Sequence, residues 1–254
     1  GLTLRDFPFR KCLDAIEIYK SKSNYVPFLA DTERKIPAPD LPQAGDARSM
    51  HFIILQYLEN QRKNFYLDFA DLIQFVLYLF DTHPAILEKW QKQFEYIQID
   101  EFQDVSGEQY KLARRLAGKH KNLFIVGDPD QTIYSWRGAD VRFFLDFEKK
   151  FEGAKTIVLD KNYRSTPEIL SVSNSLISRN EGRIPKQLQA VRQSGQKPRY
   201  RHARSRAEES DALAGEIAAL HEKGMRLSDI AVIYRGNYMS RAIEEALVRK
   251  KIPY

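Results

Sequence analysis

The stretch that decides the fold begins Tyr96-Ile97-Gln98-Ile99-Asp100-Glu101-Phe102-Gln103-Asp104. It continues at Leu123-Phe124-Ile125-Val126-Gly127-Asp128-Pro129-Asp130-Gln131-Thr132-Ile133-Tyr134-Ser135-Trp136-Arg137-Gly138-Ala139 and closes at Asn162-Tyr163-Arg164-Ser165-Thr166. Two short apolar runs each end in acidic residues. A polar and aromatic cluster follows the second run, and an arginine follows the cluster.

Ile97 and Ile99 lie in a β-prone run that stops at Asp100-Glu101. Buried parallel strands read this way, and in open α/β sheets ligands sit beyond the strand carboxyl ends. An aspartate there can hold a hydrated Mg²⁺, which takes one or two carboxylates together with phosphate oxygens. A glutamate beside it can orient or deprotonate an attacking water. The second run, Leu123 to Val126, ends the same way at Gly127-Asp128, and Gln131 follows where it can sense what the first strand end binds. An Asp-Glu pair after a strand is also what an ordinary solvated turn looks like; the dipeptide by itself does not choose.

The three blocks together resemble motifs II, III and IV of superfamily 1 DNA helicases of the UvrD/Rep/PcrA type. The resemblance extends over nearly all of the chain and is most specific between Tyr96 and Thr166. It implies an α/β fold built from parts of two RecA-like parallel-sheet motor domains. It implies ATP and Mg²⁺ as cofactors, with Asp100 as the Mg²⁺ ligand and Glu101 as the catalytic carboxylate. Gln131 would contact the γ-phosphate and Tyr163 would stack on adenine. Arg164 would be an arginine finger, a part worth roughly 10³ to 10⁵ in rate in the GTPase cases. Trp136 and Tyr134 would meet DNA, since base stacking on aromatics gives a sequence-tolerant grip of roughly 1–3 kcal/mol per base. Arg137 and Asp104 would couple the two sites. The partners implied are single-stranded DNA and duplex–single-strand junctions. The activity implied is hydrolysis-driven translocation and unwinding, in DNA repair or replication.

Composition agrees without deciding. The 254 residues suffice for one large domain or two small ones, and the net charge of +6 permits nucleic-acid binding. Cys12 is the single cysteine, so no intrachain disulfide framework exists, which fits a reducing, cytoplasmic setting. The five histidines are scattered without metal-ligand spacing, so no zinc site is expected. No apolar run approaches the roughly 20 residues of a membrane span, and no membrane partner is expected.

Along the chain, periodicity predicts helices over Cys12–Tyr19, Met50–Leu58, Leu67–Phe80, Ala85–Gln93 and Asp140–Lys150, with a proline-rich loop from Ile36 to Gly45. The Leu67–Phe80 helix reads as a buried apolar face, with Asp68 and Asp71 as helix-start carboxylates near the positive dipole end. Ser106 and Gln109 have capping-box spacing for a helix that Gly118 ends, and Thr166-Pro167 opens another. Strands are expected at Ile157–Leu159, Lys197–Ala203 and Ile230–Tyr234, and helices after Ser205 and from Ser240. Residues 182–195 read as a basic linker whose Lys186 and Arg192 either touch DNA or form a solvated run.

No Gly-x-x-x-x-Gly-Lys-[Ser/Thr] phosphate loop occurs in the sequence. The expected organisation is therefore partial. Residues 1–66 would be a helical remnant of a subdomain inserted in the first motor domain. Residues 67–154 would be the C-terminal half of that domain, and 155–254 the opening of the second. The rest of a parent chain would supply the missing parts, and the isolated chain would be inactive. An open apolar sheet edge should then favour self-association. The alternative is a non-catalytic DNA- or partner-binding remnant of the same fold.

Overall fold

A computed structural model describes residues 7–31, 33–36, 46–135 and 138–254. The chain divides into two compact units, Gly1–Leu159 with Ile177–Gln187, and Asp160–Leu176 with Leu188–Tyr254. Most of the proline-rich stretch 36–45 lies outside the described residues.

The first unit opens with α1 (Phe9–Lys22), α2 (Val26–Ala30), α3 (Asp46–Asn64), α4 (Phe69–Thr82) and α5 (Pro84–Gln93). Ile16 and Tyr19 of α1 turn inward at helical spacing onto Ile54 and Leu58 of α3, which have no exposed surface. Tyr25, Val26 and Phe28 close the same core. Burying each such side chain contributes roughly 1.5–3 kcal/mol.

The sequence predicts α4 as an apolar face, but its inner end is polar. Asp71 is fully buried, while Phe69 is 91% exposed. Lys20, 1% exposed, explains the reversal: its Nζ donates to Asp71 Oδ1 at 2.6 Å, Asp68 Oδ2 at 2.6 Å and Gln61 Oε1 at 2.8 Å. Those three bonds use all three ammonium donors. Tyr25 donates to Asp71 Oδ1 at 2.6 Å, Gln61 Nε2 to Asp71 Oδ2 at 2.7 Å, and Tyr57 to Asp68 Oδ2 at 2.8 Å. Asp68 and Asp71 also form a reciprocal capping box at the start of α4. Burial, and then the hydrogen bond to Asp71, pushes the Tyr25 phenol well above its ordinary pKa. Burial works against the charge of Asp68, but hydrogen bonds from Lys20 and Tyr57 outweigh it and hold the carboxyl below the usual range. Asp68 and Asp71 stand at the helix start as their position predicts, and their counter-charge, Lys20, lies 48 and 51 residues away in sequence.

After α5 come β1 (Ile97–Ile99), α6 (Gly107–Ala117) and β2 (Leu123–Ile125). The two strands pair in parallel, with Ile97 opposite Leu123 and Ile99 opposite Ile125. The Ser106–Gln109 capping box forms as its spacing predicts. One face of the pair, with Ile99 and Ile125, packs on Phe102, Val105, Tyr110 and a ladder of Phe143, Phe144, Phe147 and Phe151. The other face carries Tyr96, Phe124 and Val126 in the open. The single helix expected over 140–150 is two short ones, α7 (Arg142–Leu145) and α8 (Phe147–Lys150), because Asp146 leaves helical geometry at φ −95°, ψ 10°.

The second unit contains β3 (Lys161–Asn162), α9 (Pro167–Ile177, whose last residue is in the first unit), β4 (Gln189–Ala190), α10 (Arg206–Glu222) and α11 (Ser240–Arg249). β3 and β4 pair in parallel, so the stretch read as a linker contains a strand. Ala214 and Ile217 of α10 pack against Ala246 and Leu247 of α11, with Ile230 and Val232 beside them. The strands expected at 157–159, 197–203 and 230–234 are irregular. A strand is fixed by a hydrogen-bonded neighbour as much as by its own residues, and these segments have none among the described residues. Ile233 is 94% exposed. The α/β class with parallel strands stands.

Candidate functional site

The two strand ends are stitched together by the backbone. Val126 N–H donates to Ile99 O at 2.9 Å, and Phe102 N–H returns a bond to Val126 O at 2.9 Å. To make that return the chain turns sharply at Glu101, which takes the left-handed conformation, φ 49° and ψ 42°. A non-glycine residue there is held at a cost of the order of 1–3 kcal/mol, and such residues cluster at functional sites. Asp100 lies exposed just before it, its Oδ1 accepting the Glu101 N–H at 2.9 Å. A 3-10 turn, Phe102–Asp104, follows, and the Asp104 N–H closes it onto Glu101 O at 2.9 Å.

Gln103 carries no signal in the sequence that sets it apart from its neighbours. It is 2% exposed, its Nε2 donates to Glu101 Oε2 at 2.7 Å, and its Oε1 accepts the Asp128 N–H at 3.0 Å. Gly127 is glycine because of it: a Cβ there would lie 2.3 Å from Gln103 Oε1 and 2.9 Å from Phe102 N. Asp128 caps the 3-10 turn Pro129–Gln131 and accepts from Gln131 Nε2 at 2.8 Å. Asp100, Glu101, Gln103, Asp128 and Gln131 therefore form one cluster at the carboxyl ends of β1 and β2.

Arg183 and Lys186 complete it from the returning segment of the same unit. Arg183 forks onto both carboxylate oxygens of Asp130 at 3.1 and 2.7 Å. Lys186 bonds Asp128 and lies 3.3 Å from Asp130 Oδ2. Burial raises the Asp128 pKa, but the bonds from Lys186 and Gln131 outweigh it and hold the carboxyl below the usual range. Lys186 is thus a largely buried charge paired with two carboxylates, not a solvated one. Arg192, in the second unit, donates to Arg164 O at 2.9 Å.

Tyr134 is exposed and its carbonyl accepts the Ala139 N–H at 3.3 Å. Trp136 and Arg137 lie outside the described residues. Tyr163, 71% exposed, and Arg164 stand in the second unit. The Asn162 side chain shapes their turn, its Oδ1 accepting from Arg164 N at 3.0 Å and Ser165 N at 2.7 Å. Asparagine at a turn start is the signal that could have marked it.

Among the described residues no three His, Cys, Asp or Glu side chains gather into a metal-binding group. The donor set at Asp100 suits a cation that takes one carboxylate and fills its shell with water and phosphate oxygens, as Mg²⁺ does.

The family described as UvrD/REP helicase N-terminal domain matches residues 16–152. The chain belongs to the UvrD/REP helicase family. Residues 157–254 match the UvrD-like helicase C-terminal domain. Over 225 residues the chain is 41% identical to the ATP-dependent DNA helicase PcrA of Staphylococcus aureus (strain Mu50 / ATCC 700699), covering 87% of this chain and 31% of that protein. The PcrA helicase of Staphylococcus epidermidis (strain ATCC 12228 / FDA PCI 1200) gives the same identity and coverage. The chain thus spans about a third of the length of these curated relatives. No helix among the described residues is long and apolar enough to cross a membrane.

Proposed function

We propose that this chain is a segment of an ATP-dependent DNA helicase that couples hydrolysis to translocation on single-stranded DNA and to duplex unwinding. The observation that carries the reading is the cluster at the β1 and β2 ends. There an exposed aspartate, a strained glutamate and a glutamine are held in one hydrogen-bonded set. Phosphoryl transfer needs positioning and charge stabilisation above all, and these are its usual parts. Asp100 would hold Mg²⁺, which would supply positive charge against the charge of the phosphates. Glu101 would orient the attacking water, and Gln131 would report on the terminal phosphate. Tyr163 and Arg164 would serve the adenine and the transition-state charge. Tyr134 and Trp136 would meet the DNA strand, with Arg137 and Asp104 coupling the sites. Residues 1–66, 67–154 and 155–254 would be the inserted helical piece and the parts of the first and second motor domains.

The test is ATP hydrolysis, with and without single-stranded DNA, by the parent protein carrying this segment and by its Glu101→Gln variant. DNA-stimulated hydrolysis that the variant loses is expected. Equal rates for the two proteins overturn the reading. The 254-residue chain assayed alone is expected to be inactive.

A further inference from the structure

We propose that Gln103 is a positioning residue for Glu101, a tie that fixes the candidate catalytic carboxylate to the second strand end. The proposal rests on the hydrolytic reading of the site given above. The Glu101 backbone is pinned by its turn, but its side chain is exposed, and among the described residues the bond from Gln103 is the one that holds its carboxylate. Gln103 lies two residues on, in the 3-10 turn, where its own side chain is 2% exposed and cannot wander. Its amide is used at both ends, donating 2.7 Å to Glu101 Oε2 and accepting 3.0 Å from Asp128 N.

The residue type fits this duty. A carboxylate at 103 could accept from Asp128 but would repel Glu101, and a lysine could donate but not accept. An amide does both, and burial makes an unmade bond costly enough to hold the geometry. The second observation is independent. The chain leaves no room for a side chain at 127, where a Cβ would meet Gln103 Oε1 at 2.3 Å, so the amide is packed in place as well as bonded. Asp128 continues the line by accepting from Gln131 Nε2 at 2.8 Å. A displacement of Gln131 therefore reaches Glu101 through two residues.

A double-mutant cycle on the ATPase of the parent protein tests this, with Glu101→Gln, Gln103→Met and the pair. Gln103→Met is expected to lower kcat roughly 10²-fold, the cost of misplacing a reacting group by about 1 Å. The KM for ATP should stay within about twofold, and the second substitution should add nothing to the first. An undiminished kcat, a loss confined to KM, or the full loss repeated in the Glu101→Gln background would each overturn the proposal. Gln103→Glu guards against a folding artefact. It keeps the acceptor for Asp128 N–H, so a protein that still unfolds cooperatively, with the same loss of kcat, is expected; wild-type kcat would overturn the assignment. A wild-type rate for Glu101→Gln overturns the hydrolytic reading itself. The contact is read separately by NMR in the 254-residue chain: Glu101→Gln should shift the Gln103 side-chain amide protons, and unmoved resonances would mean that Gln103 does not hold Glu101.

Discussion

Lys20 Nζ lies 2.6 Å from Asp71 Oδ1, in an interior where the two side chains are 1% and 0% exposed. Removing one member of such a pair leaves the other charged and buried. Lys20→Met is therefore expected to destabilise the chain by about 3–5 kcal/mol, measured by urea unfolding. Combined with Asp71→Asn, it should cost clearly less than the sum of the two single changes, because the partners couple. A loss below about 1 kcal/mol would place the pair with ordinary surface ion pairs.

Gly127→Ala should be poorly tolerated although the residue is exposed. The methyl would strike both the Gln103 amide and the Phe102 backbone nitrogen, and the backbone cannot swing aside. Overpacking of this kind costs about 1–3 kcal/mol. A thermal melt matching wild type, with Gln103 still bonded to Glu101 in a crystal structure, would refute the close approach.

Acid should weaken the fold in a defined window. Asp68 and Asp128 are both held below the ordinary aspartate range, by net hydrogen bonding that overcomes burial. Each binds its proton less readily folded than unfolded, so its contribution is present at neutral pH. The contribution is lost as pH falls through and below about 3.9, the unfolded value. Unfolding free energy followed from pH 6 down to about pH 2.5 should drop for wild type and drop less steeply for Asp128→Asn. Identical slopes would show that Asp128 carries no such linkage.

The face of the β1–β2 pair bearing Tyr96, Phe124 and Val126 should make the chain associate with itself. Parallel strands are normally covered on both faces, and Phe124 is 57% exposed. Sedimentation equilibrium is expected to show dimers or larger species that Phe124→Lys diminishes. A monomer at every concentration would count against this.

Legibility followed sequence distance. The β1–α6–β2 unit was readable because Ile97, Ile99, Ser106, Gln109 and Gly118 are local signals whose meaning does not depend on the rest of the chain. Asp100, Glu101 and Gln131 were readable as a motif. Gln103 lies between Glu101 and Asp104 with no local signal to mark it, since its role is set by where the Asp128 N–H arrives. Lys20 with Asp71, and Lys186 with Asp128, are long-range electrostatic pairs that no local period announces. The strands expected at 157–159 and 230–234 failed for a related reason. Ile157, Leu159, Ile230 and Val232 supply β propensity, but pairing needs a second backbone.

Arg183 and Lys186 fall within the residues matched by the C-terminal family domain, yet they belong to the first compact unit. Anyone building a chimera with a related helicase therefore meets an awkward seam. A graft cut at residue 157 imports a foreign 183–186 segment to face the native Asp128 and Asp130, and four charges must match across species. A graft that leaves 177–187 native keeps the quartet whole, and the seam that respects the sequence family is not the one that respects the charges.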